Sequence, residues 1–351
     1  MKNHDEKRWI QVALEEARQG IGLTAPNPPV GSVIVRDEIV LARGWHRGAG
    51  TPHAERNALA NLASGEARGA TAYVTLEPCS THGQTGACTD ALIEAGVSRV
   101  VYGARDPNPA HFGRADEVLR AAGIEVVSGV CEEECLHLIR GFAMVQTMGR
   151  PWVIAKTAMS LDGRITRPAV EEQWLSGPGA REEVQGLRAE VDAIVTSGET
   201  VRRDNPSLTL RSSEISPDKK QPWRVVLTKA GLDQSKYQLF NHDFAERSLL
   251  FQNEGIEATL SQLVTNQSVN TILLESGGGL MGAFLDAGLI DEWVIYLAPL
   301  VTGGPTPAVG GQGAASLEER FSLKYLTIHQ VGNDLCARGL VDRAGPPVLV
   351  R

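Results

Sequence analysis

The sequence predicts an α/β protein built from two consecutive units, each a β-sheet covered by helices on both faces. Short apolar segments of strand length alternate with amphipathic segments at helical spacing along most of the chain. Hydrophobic residues make up 42% and charged residues 22% of the sequence, which is typical of globular proteins. The 351 residues suffice for two domains of ordinary size, each with its own core.

The first half of the chain carries clear start and stop signals for its elements. The dipeptide Asp37-Glu38 predicts a turn between two strands, and Pro52 lies where the first turn of a helix is expected. Gly96 and Gly123 follow two further helical segments and predict where these end. The predicted helices cover residues 5–19, 53–62, 88–95 and 117–122. The predicted strands cover residues 30–35, 39–44, 72–76, 99–103 and 124–127.

The second half repeats this alternation after Gly149 and Pro151, which mark a break in the chain. We therefore predict one domain of residues 1–148 and a second of residues 149–351. A helix is predicted at 180–190, and the polar segment 211–221 is predicted to be an exposed loop. The predicted strands cover residues 152–157, 192–196, 223–228, 271–275 and 292–298.

Charge and cysteine content narrow the function classes. A formal net charge of -8 disfavours non-specific binding to nucleic acid or anionic membranes, because both require clustered Lys or Arg. No apolar run is long enough to cross a bilayer, and residues 1–20 lack the core of a signal peptide. Five cysteines in a chain of this size do not indicate a disulfide framework. We expect a cytoplasmic protein with no nucleic-acid or membrane partner.

The strongest chemical signal combines His53, Glu55, Cys79 and Cys88. His53 begins one predicted helix, Cys79 follows a strand, and Cys88 begins the next helix, where the helix N-terminus favours a thiolate. One imidazole and two thiolates leave the fourth position of tetrahedral zinc open for water, as in catalytic zinc sites. Glu55 is close enough in sequence to move protons without binding the metal. Each residue alone would be an ordinary core residue, but together they predict a catalytic zinc site.

The loop between the two cysteines resembles a known enzyme family. Zinc deaminases carry H-x-E followed by P-C-x-x-C, whereas Cys88 lies nine positions after Cys79. This longer loop, residues 78–88, resembles the deaminase domain of the bifunctional riboflavin-biosynthesis deaminase–reductases. Four further segments match that family: NPPVG at 27–31, GWH at 44–46, TPHAE at 51–55 and DPNP at 106–109.

The resemblance implies a cytidine-deaminase-like domain in which His53, Cys79 and Cys88 bind Zn²⁺ and Glu55 is the catalytic proton shuttle. The implied reaction releases ammonia from the amine-bearing carbon of a phosphoribosylaminopyrimidine. Asn27 would contact the substrate, although an Asn beside prolines is equally typical of a simple turn.

The zinc-ligand loop departs from the family at two positions. Family members usually carry His directly after Cys-Ser, and Arg or Lys after the following Gly, where this chain has Thr81 and Gln84. Both usual residues suit an anionic substrate, and His82 is a candidate substitute. We expect deamination to survive, because all three ligands and Glu55 are intact.

The second half carries a glycine-rich turn, Gly277-Gly278-Gly279, between a predicted strand and a helix. Such a turn lets backbone amides approach a phosphate, but it is often only a tight turn, and the Rossmann spacing is not matched. Several segments resemble the reductase domain of the same family, which is similar to dihydrofolate reductase in fold. These are KTAMSLDGR at 156–164, QW at 173–174, AR at 180–181, GETVRRDNP at 198–206 and ESGGG at 275–279.

The resemblance implies that NADPH transfers a hydride to the anomeric carbon of the ribosylamino group, giving the ribityl chain. The residues implied to line the NADPH site are Ala158, Trp174, Thr200, Asp204, Gly277, Gly278, Gly279, Leu280, Met281, Gly282 and Ala283. The residues implied to meet the substrate are Arg188, Leu208, Arg211 and Glu275, with arginines suited to bidentate phosphate contacts.

Several of these residues also have ordinary structural interpretations. Arg188 could be a solvated helix residue, Trp174 a core residue and Asp204 a turn cap. Lys156 and Asp204 are candidates for orienting the sugar. Glu172 stands where the family commonly carries Ser, and we expect it to face solvent.

The remaining cysteines are predicted to be structural. Cys131 and Cys135 are four positions apart on a predicted helix, and Cys336 lies in a late strand as a core residue. His137 is the one nearby residue that leaves a second metal site open.

Two other functions remain open from the sequence. The first is a zinc deaminase of another nucleobase or of RNA, with a binding module as second half. The second is a reductase with an impaired deaminase domain, which Thr81 and Gln84 would explain. In each case we expect a homo-oligomer, either a dimer or a tetramer.

Overall fold

The computed structural model describes residues 2–81, 86–109, 111–165, 174–213, 215–316 and 318–342. His82, Gln84 and Glu172 lie outside these residues. The chain divides between Gly149 and Arg150 into two compact units, each built on one sheet. We call them the N-terminal and the C-terminal unit.

The N-terminal unit contains a mixed sheet in the order β2-β1-β3-β4-β5. Its strands are Gly31–Arg36 (β1), Ile39–Trp45 (β2), Thr71–Leu76 (β3), Arg99–Ala104 (β4) and Glu125–Val127 (β5). β1 pairs antiparallel with β2 and β3, whereas β3, β4 and β5 are parallel. Asp37 and Glu38 have φ of 52° and 59° and form the tight turn between β1 and β2.

Helices cover both faces of this sheet. They are Lys2–Arg18 (α1), Ala54–Ala60 (α2), Cys88–Ala95 (α3), Arg114–Ala121 (α4), Glu132–Leu138 (α5) and Arg140–Met148 (α6). One apolar cluster joins α1 and α5 to one sheet face, and a second joins α2, α3 and α4 to the other. Cys135 lies in the first cluster, as predicted for a structural cysteine. The predicted three-layer α/β/α arrangement is confirmed for this unit.

The C-terminal unit contains an eight-stranded sheet in the order β12-β13-β11-β6-β10-β7-β8-β9. The strands are Trp152–Ser160 (β6), Ala193–Ser197 (β7), Trp223–Thr228 (β8), Ser248–Gln252 (β9), Thr271–Glu275 (β10), Glu292–Ala298 (β11), Ser322–Val331 (β12) and Asp334–Asp342 (β13). The six strands from β11 to β9 are parallel, and β13 and β12 extend the sheet antiparallel.

The helices of this unit are Pro178–Ala189 (α7), Gly198–Asp204 (α8), Gln238–Asn241 (α9), Ile256–Gln267 (α10) and Gly278–Asp286 (α11). The main core packs side chains of α10 and α11 against one face of the parallel strands. The carboxyl ends of β6, β10 and β7 meet at one edge, which is where α/β sheets bind ligands. Within the described ranges, no helix combines the length and the apolar character that a membrane span requires.

Candidate active sites

The three predicted zinc ligands converge in the N-terminal unit. His53 immediately precedes α2, Cys79 follows β3, and Cys88 begins α3. The Nδ1 atom of His53 lies 3.4 Å from each of the two sulfur atoms. Zinc bonds of about 2.0–2.3 Å in a tetrahedron place ligand atoms about 3.6 Å apart. The donor set and its spacing therefore fit a zinc ion.

Backbone contacts hold the two sulfurs together. The Cys88 amide donates to the Cys79 sulfur at 3.3 Å and to the Cys79 carbonyl oxygen at 3.0 Å. A hydrogen bond from Cys88 lowers the pKa of the Cys79 thiol to about 4, in spite of burial. The same hydrogen bond and burial raise the pKa of Cys88. These contacts favour the thiolate form of Cys79, and a bound dication would favour that of Cys88 as well.

Glu55 lies beside this triad in the first turn of α2, with 3% of its surface exposed. Burial first, and the negative charge of Cys79 second, raise the pKa of the Glu55 carboxyl. A carboxyl whose pKa moves toward neutrality can both accept and donate a proton at physiological pH.

A cavity of about 340 Å³ opens over the triad, within the size range of small-molecule sites. Glu55 lines it together with His53 and Cys79. Other lining residues are Asn27, His46, Thr81, Asp106, His111 and Phe142. The cavity thus brings together predicted site residues from three parts of the chain: Asn27 before β1, His53 and Glu55 at the start of α2, and Cys79 after β3.

Asn27 is held at the cavity wall by His46. The Asn27 side-chain amide lies 3.0 Å from Nε2 of His46, and Nδ1 of His46 lies 3.2 Å from the Pro52 carbonyl oxygen. Burial lowers the pKa of His46, so the neutral ring donates to Pro52 and accepts from Asn27. Asn27 therefore has a fixed orientation, and His46, to which the sequence assigned no role, supplies it.

His111 is a second lining residue that sequence reasoning missed. Its Nδ1 lies 3.5 Å from the Thr81 hydroxyl, and both residues line the cavity. The buried Glu77 carboxylate places this segment by accepting backbone hydrogen bonds from Asp106, Gly113 and Ala115. Glu77, directly after β3, is the residue that could have indicated this arrangement. The backbone amides that it binds lie 29 or more positions away in the sequence, so local patterns do not reveal them.

In the C-terminal unit, the predicted substrate residues cluster around Glu275 at the end of β10. Arg188 binds its carboxylate with two hydrogen bonds, at 2.6 and 3.1 Å, and Lys156 lies 3.5 Å from it. Burial, and then the positive charge of Arg188, lower the pKa of Arg211, which places this guanidinium in the same cluster. Arg188 and Lys156 contact the carboxylate, and Arg211 adds a third positive charge near it, an excess of positive charge that suits a phosphate group. Leu208, three positions before Arg211 in the sequence, is buried and has a φ of 52°.

Two predicted cofactor residues meet where β7 and β10 end side by side. The Gly277 amide donates to the Thr200 hydroxyl at 3.3 Å. An ideal Cβ on Gly279 would meet no atom of the described residues within 4 Å, so the first turn of α11 is open toward them on that side. An open helix N-terminus at the carboxyl edge of parallel strands fits a dinucleotide phosphate. Ala158 lies on β6, the neighbouring strand.

The other predicted cofactor residues have different surroundings. A Cβ on Gly278 would lie 2.3 Å from the Pro307 carbonyl oxygen, and one on Gly282 would lie 2.2 Å from the Gly310 backbone. Met281 packs in the core, whereas Leu280 and Ala283 are partly buried on α11. Trp174 is 54% exposed beside the Arg181 guanidinium, and Asp204 ends α8.

Comparison with known proteins covers both units. The family model of the RibD C-terminal domain matches residues 151–337. The model of the cytidine and deoxycytidylate deaminase zinc-binding region matches residues 3–104. Each match falls on the unit in which the corresponding site was found.

Whole proteins match over nearly the full length. The riboflavin biosynthesis protein RibD of Escherichia coli (strain K12) is 39% identical, over 94% of this chain and 98% of that protein. The protein of the same name from Mycobacterium tuberculosis (strain CDC 1551 / Oshkosh) is 38% identical, over 95% and 96%.

Two solved structures superpose over 97% of this chain and 100% of theirs. Acinetobacter baumannii RibD, form 1, has a TM-score of 0.90 at 34% identity. A Thermotoga maritima diaminohydroxyphosphoribosylaminopyrimidine deaminase/5-amino-6-(5-phosphoribosylamino)uracil reductase has a TM-score of 0.87 at 31% identity. The chain therefore belongs to the RibD family of bifunctional riboflavin-biosynthesis enzymes, with a zinc-dependent deaminase activity and an NADPH-dependent reductase activity.

Proposed function

We propose that the enzyme deaminates a diaminohydroxyphosphoribosylaminopyrimidine and then reduces the ribosyl side chain of the product to ribityl. The observation that carries this proposal is the convergence of His53, Cys79 and Cys88, with Glu55 lining the cavity beside His53 and Cys79. The substrate named for the Thermotoga maritima relative supports the choice of pyrimidine.

For the deamination, His53, Cys79 and Cys88 would hold zinc, which supplies a nucleophile at neutral pH by lowering the pKa of water. Hydrolysis replaces the amino group with oxygen and releases ammonia. Glu55 takes a proton from the attacking water and delivers it to the departing amine. Its burial keeps bulk water away from this transfer.

Asn27 and His111 would grip the substrate in this cavity. Asn27, oriented by His46, offers hydrogen bonds to the pyrimidine. Among the described residues that line the cavity there is no Lys or Arg, and Thr81 stands where the family usually carries His. His111 contacts Thr81 from the opposite loop and is placed to donate to the anionic part of the substrate.

For the reduction, NADPH supplies the hydride. Thr200 and Gly277–Ala283 would hold the cofactor at the start of α11, with Ala158, Trp174 and Asp204 around it. Arg188 and Arg211 would bind the substrate phosphate, with Glu275 fixing Arg188 and Leu208 completing the wall. Lys156 and Asp204 would orient the sugar.

Residues 1–148 would form the deaminase domain and residues 149–351 the reductase domain of a cytoplasmic enzyme, with a small-molecule substrate and no nucleic-acid or membrane partner. We further propose a homo-oligomer, a dimer or tetramer, that associates through β12. This strand is the sheet edge and exposes Tyr325, Leu326 and Ile328 by 75, 50 and 63%. A long edge strand with large exposed apolar side chains is a ready surface for association.

Replacement of Glu55 tests the deaminase assignment. Glu55→Gln keeps the shape of the side chain but cannot move the proton, so ammonia release should fall by about 10²–10⁴-fold. Zinc content and NADPH oxidation on the deaminated substrate should stay at wild-type levels. Glu117→Gln, an exposed carboxylate on α4, is the matched control and should retain both activities. Full ammonia release by Glu55→Gln would refute the assigned role.

Replacement of His111 tests the proposed substrate contact. His111→Ala removes one hydrogen bond to a charged group, so the KM for deamination should rise by about 10–100-fold with a smaller change in kcat. The exposed neighbour Phe112 provides the control variant, Phe112→Ala. An unchanged KM in His111→Ala would exclude the contact.

A further inference from the structure

The C-terminal unit contains a second group of metal-binding side chains, distant in sequence from the zinc triad. His329 of β12 and Cys336 of β13 are direct partners in the antiparallel pair, and Glu183 of α7 lies over them. The Glu183 carboxylate lies 3.2 Å from Nε2 of His329. One ligand atom from each residue falls within 4.8 Å of the other two. The sequence predicted Cys336 only as a core residue, because its two companions come from other elements.

The sheet register explains why these groups meet. Tyr296 of β11 is the direct partner of Cys336, which in turn is the partner of His329. Directly opposed residues of antiparallel strands point to the same face, so the three side chains form a row across neighbouring strands. This row lies on the sheet face that α7 covers, because Glu183 of that helix contacts His329.

Tyr296 adds a further contact to this group. It is completely buried, and its hydroxyl interacts with both Cys336 and Glu183. A hydroxyl that interacts with both shows that side chains of the sheet and of α7 converge on one place.

The surrounding elements hold the three ligands in place. The start of α7 is fixed to the β12–β13 hairpin, because the Gly177 amide donates to the Asp334 carboxylate at 2.7 Å. Cys336 is buried at the base, whereas the side chains of His329 and Glu183 are 51% and 33% exposed. A site on two paired strands and a docked helix is preorganised, and its open side admits an ion from solvent.

The donor types select the kind of ion. A thiolate, an imidazole and a carboxylate together suit zinc and similar transition metals, whereas Mg²⁺ and Ca²⁺ prefer oxygen ligands alone. In a tetrahedral zinc site, nitrogen and oxygen ligands lie about 3.3 Å apart, which matches the distance between His329 and Glu183.

We propose that Glu183, His329 and Cys336 bind a second zinc ion, which joins α7 to the β12–β13 hairpin. The ion would stabilise α7, the helix that also carries Arg188. This site is separate from the zinc of the deaminase and takes no part in either reaction.

Zinc content of the full-length enzyme tests the proposal. After equilibration with micromolar zinc and removal of loose metal, the wild type should hold about two zinc ions per chain. His329→Ala should hold about one zinc ion, in the deaminase site, and Cys88→Ala about one, in the proposed second site. The double variant should hold none. Cys131→Ala and His242→Ala are controls that should keep two. His329 is exposed, so its replacement should leave the fold intact even if Cys336→Ala does not fold.

Cobalt binding gives a second readout. In Cys88→Ala, Co²⁺ should produce a thiolate-to-cobalt absorption band that His329→Ala and Cys336→Ala each weaken. One zinc per wild-type chain, or a Cys88→Ala variant without zinc and without this band, would overturn the proposal. The side chains would then be an ordinary surface ion pair beside a core thiol.

Discussion

Glu275 is a buried carboxylate whose charge is balanced by its neighbours. Burial by itself raises the pKa of a carboxyl, but the charges of Arg188 and then Lys156, with their hydrogen bonds, lower the pKa of Glu275 to about 2. Its ordinary pKa is 4.5. Because the folded-state pKa is the lower one, ionised Glu275 stabilises the fold above pH 4.5. This contribution is lost as the pH falls toward 2.

Glu275→Gln should therefore destabilise the reductase domain in a pH-dependent way. At pH 7 the variant leaves the buried Arg188 and the partly buried Lys156 without their anion, a loss of about 3–5 kcal/mol in the free energy of unfolding. Between pH 5 and pH 2 the difference from wild type should shrink by up to about 3 kcal/mol. Urea unfolding at several pH values measures this, with the exposed Glu257 replaced by Gln as the control. A difference independent of pH would show that Glu275 is not ionised in the fold.

Individual site residues differ in how well the sequence predicts them. His53, Cys79 and Cys88 could be predicted, because each stands at the end of an element and zinc requires those donor types. His111 could not, because its position depends on a loop held by Glu77 through backbone amides far along the chain. The predicted roles of Arg188 and Arg211 stay predictions, although both guanidinium groups lie in the cluster around Glu275.

At the scale of elements, the glycines of α11 divide into two kinds. Gly278 and Gly282 allow the segment around Gly310 to approach the helix backbone, and a side chain at either position would collide with main-chain atoms. Gly279 faces open space instead. Packing against the described residues therefore does not require a glycine at position 279, whereas the approach of a cofactor phosphate to this helix N-terminus would favour one.

Replacing these glycines should separate packing from cofactor binding. Gly279→Ala should leave thermal stability unchanged or slightly higher, since alanine favours helix, but should raise the KM for NADPH by about tenfold or more. Gly282→Ala should lower the free energy of unfolding by about 1–3 kcal/mol through overpacking. Thermal melts and NADPH titrations of both variants measure the contrast. Unaltered NADPH kinetics in Gly279→Ala would remove this glycine from the cofactor site.

The sequence predicts some elements much better than others. The strands β8, β10 and β11 and the helix α3 have the predicted bounds, because buried parallel strands are short apolar runs and α3 ends at a glycine. β12 was not predicted, because nearly all of its residues are exposed and it lacks an alternating apolar pattern. Its place in the sheet depends on the hairpin with β13, which itself joins the sheet by pairing with β11.

For the whole molecule, the two halves together determine the function. A zinc site alone is compatible with a deaminase of another nucleobase or of RNA, which was one of the alternatives from the sequence. The match of the C-terminal unit to the RibD C-terminal domain removes that alternative. The glycine-rich turn by itself would not have identified a cofactor, because close backbone packing explains Gly278 within the turn and Gly282 after it.

Association through β12 is the property of the whole molecule that one substitution tests most directly. Ile328→Lys places a charge on the exposed edge strand, where the side chain is 63% exposed. If β12 forms the interface, desolvating that charge should weaken association by at least about 30-fold and produce monomers at micromolar concentration. Ile39→Lys, at 64% exposure in the N-terminal unit, is the matched control and should leave the oligomer intact. Analytical ultracentrifugation of the three proteins measures the outcome. A wild type that is already monomeric, or an Ile328→Lys variant that sediments like the wild type, would place any interface away from β12.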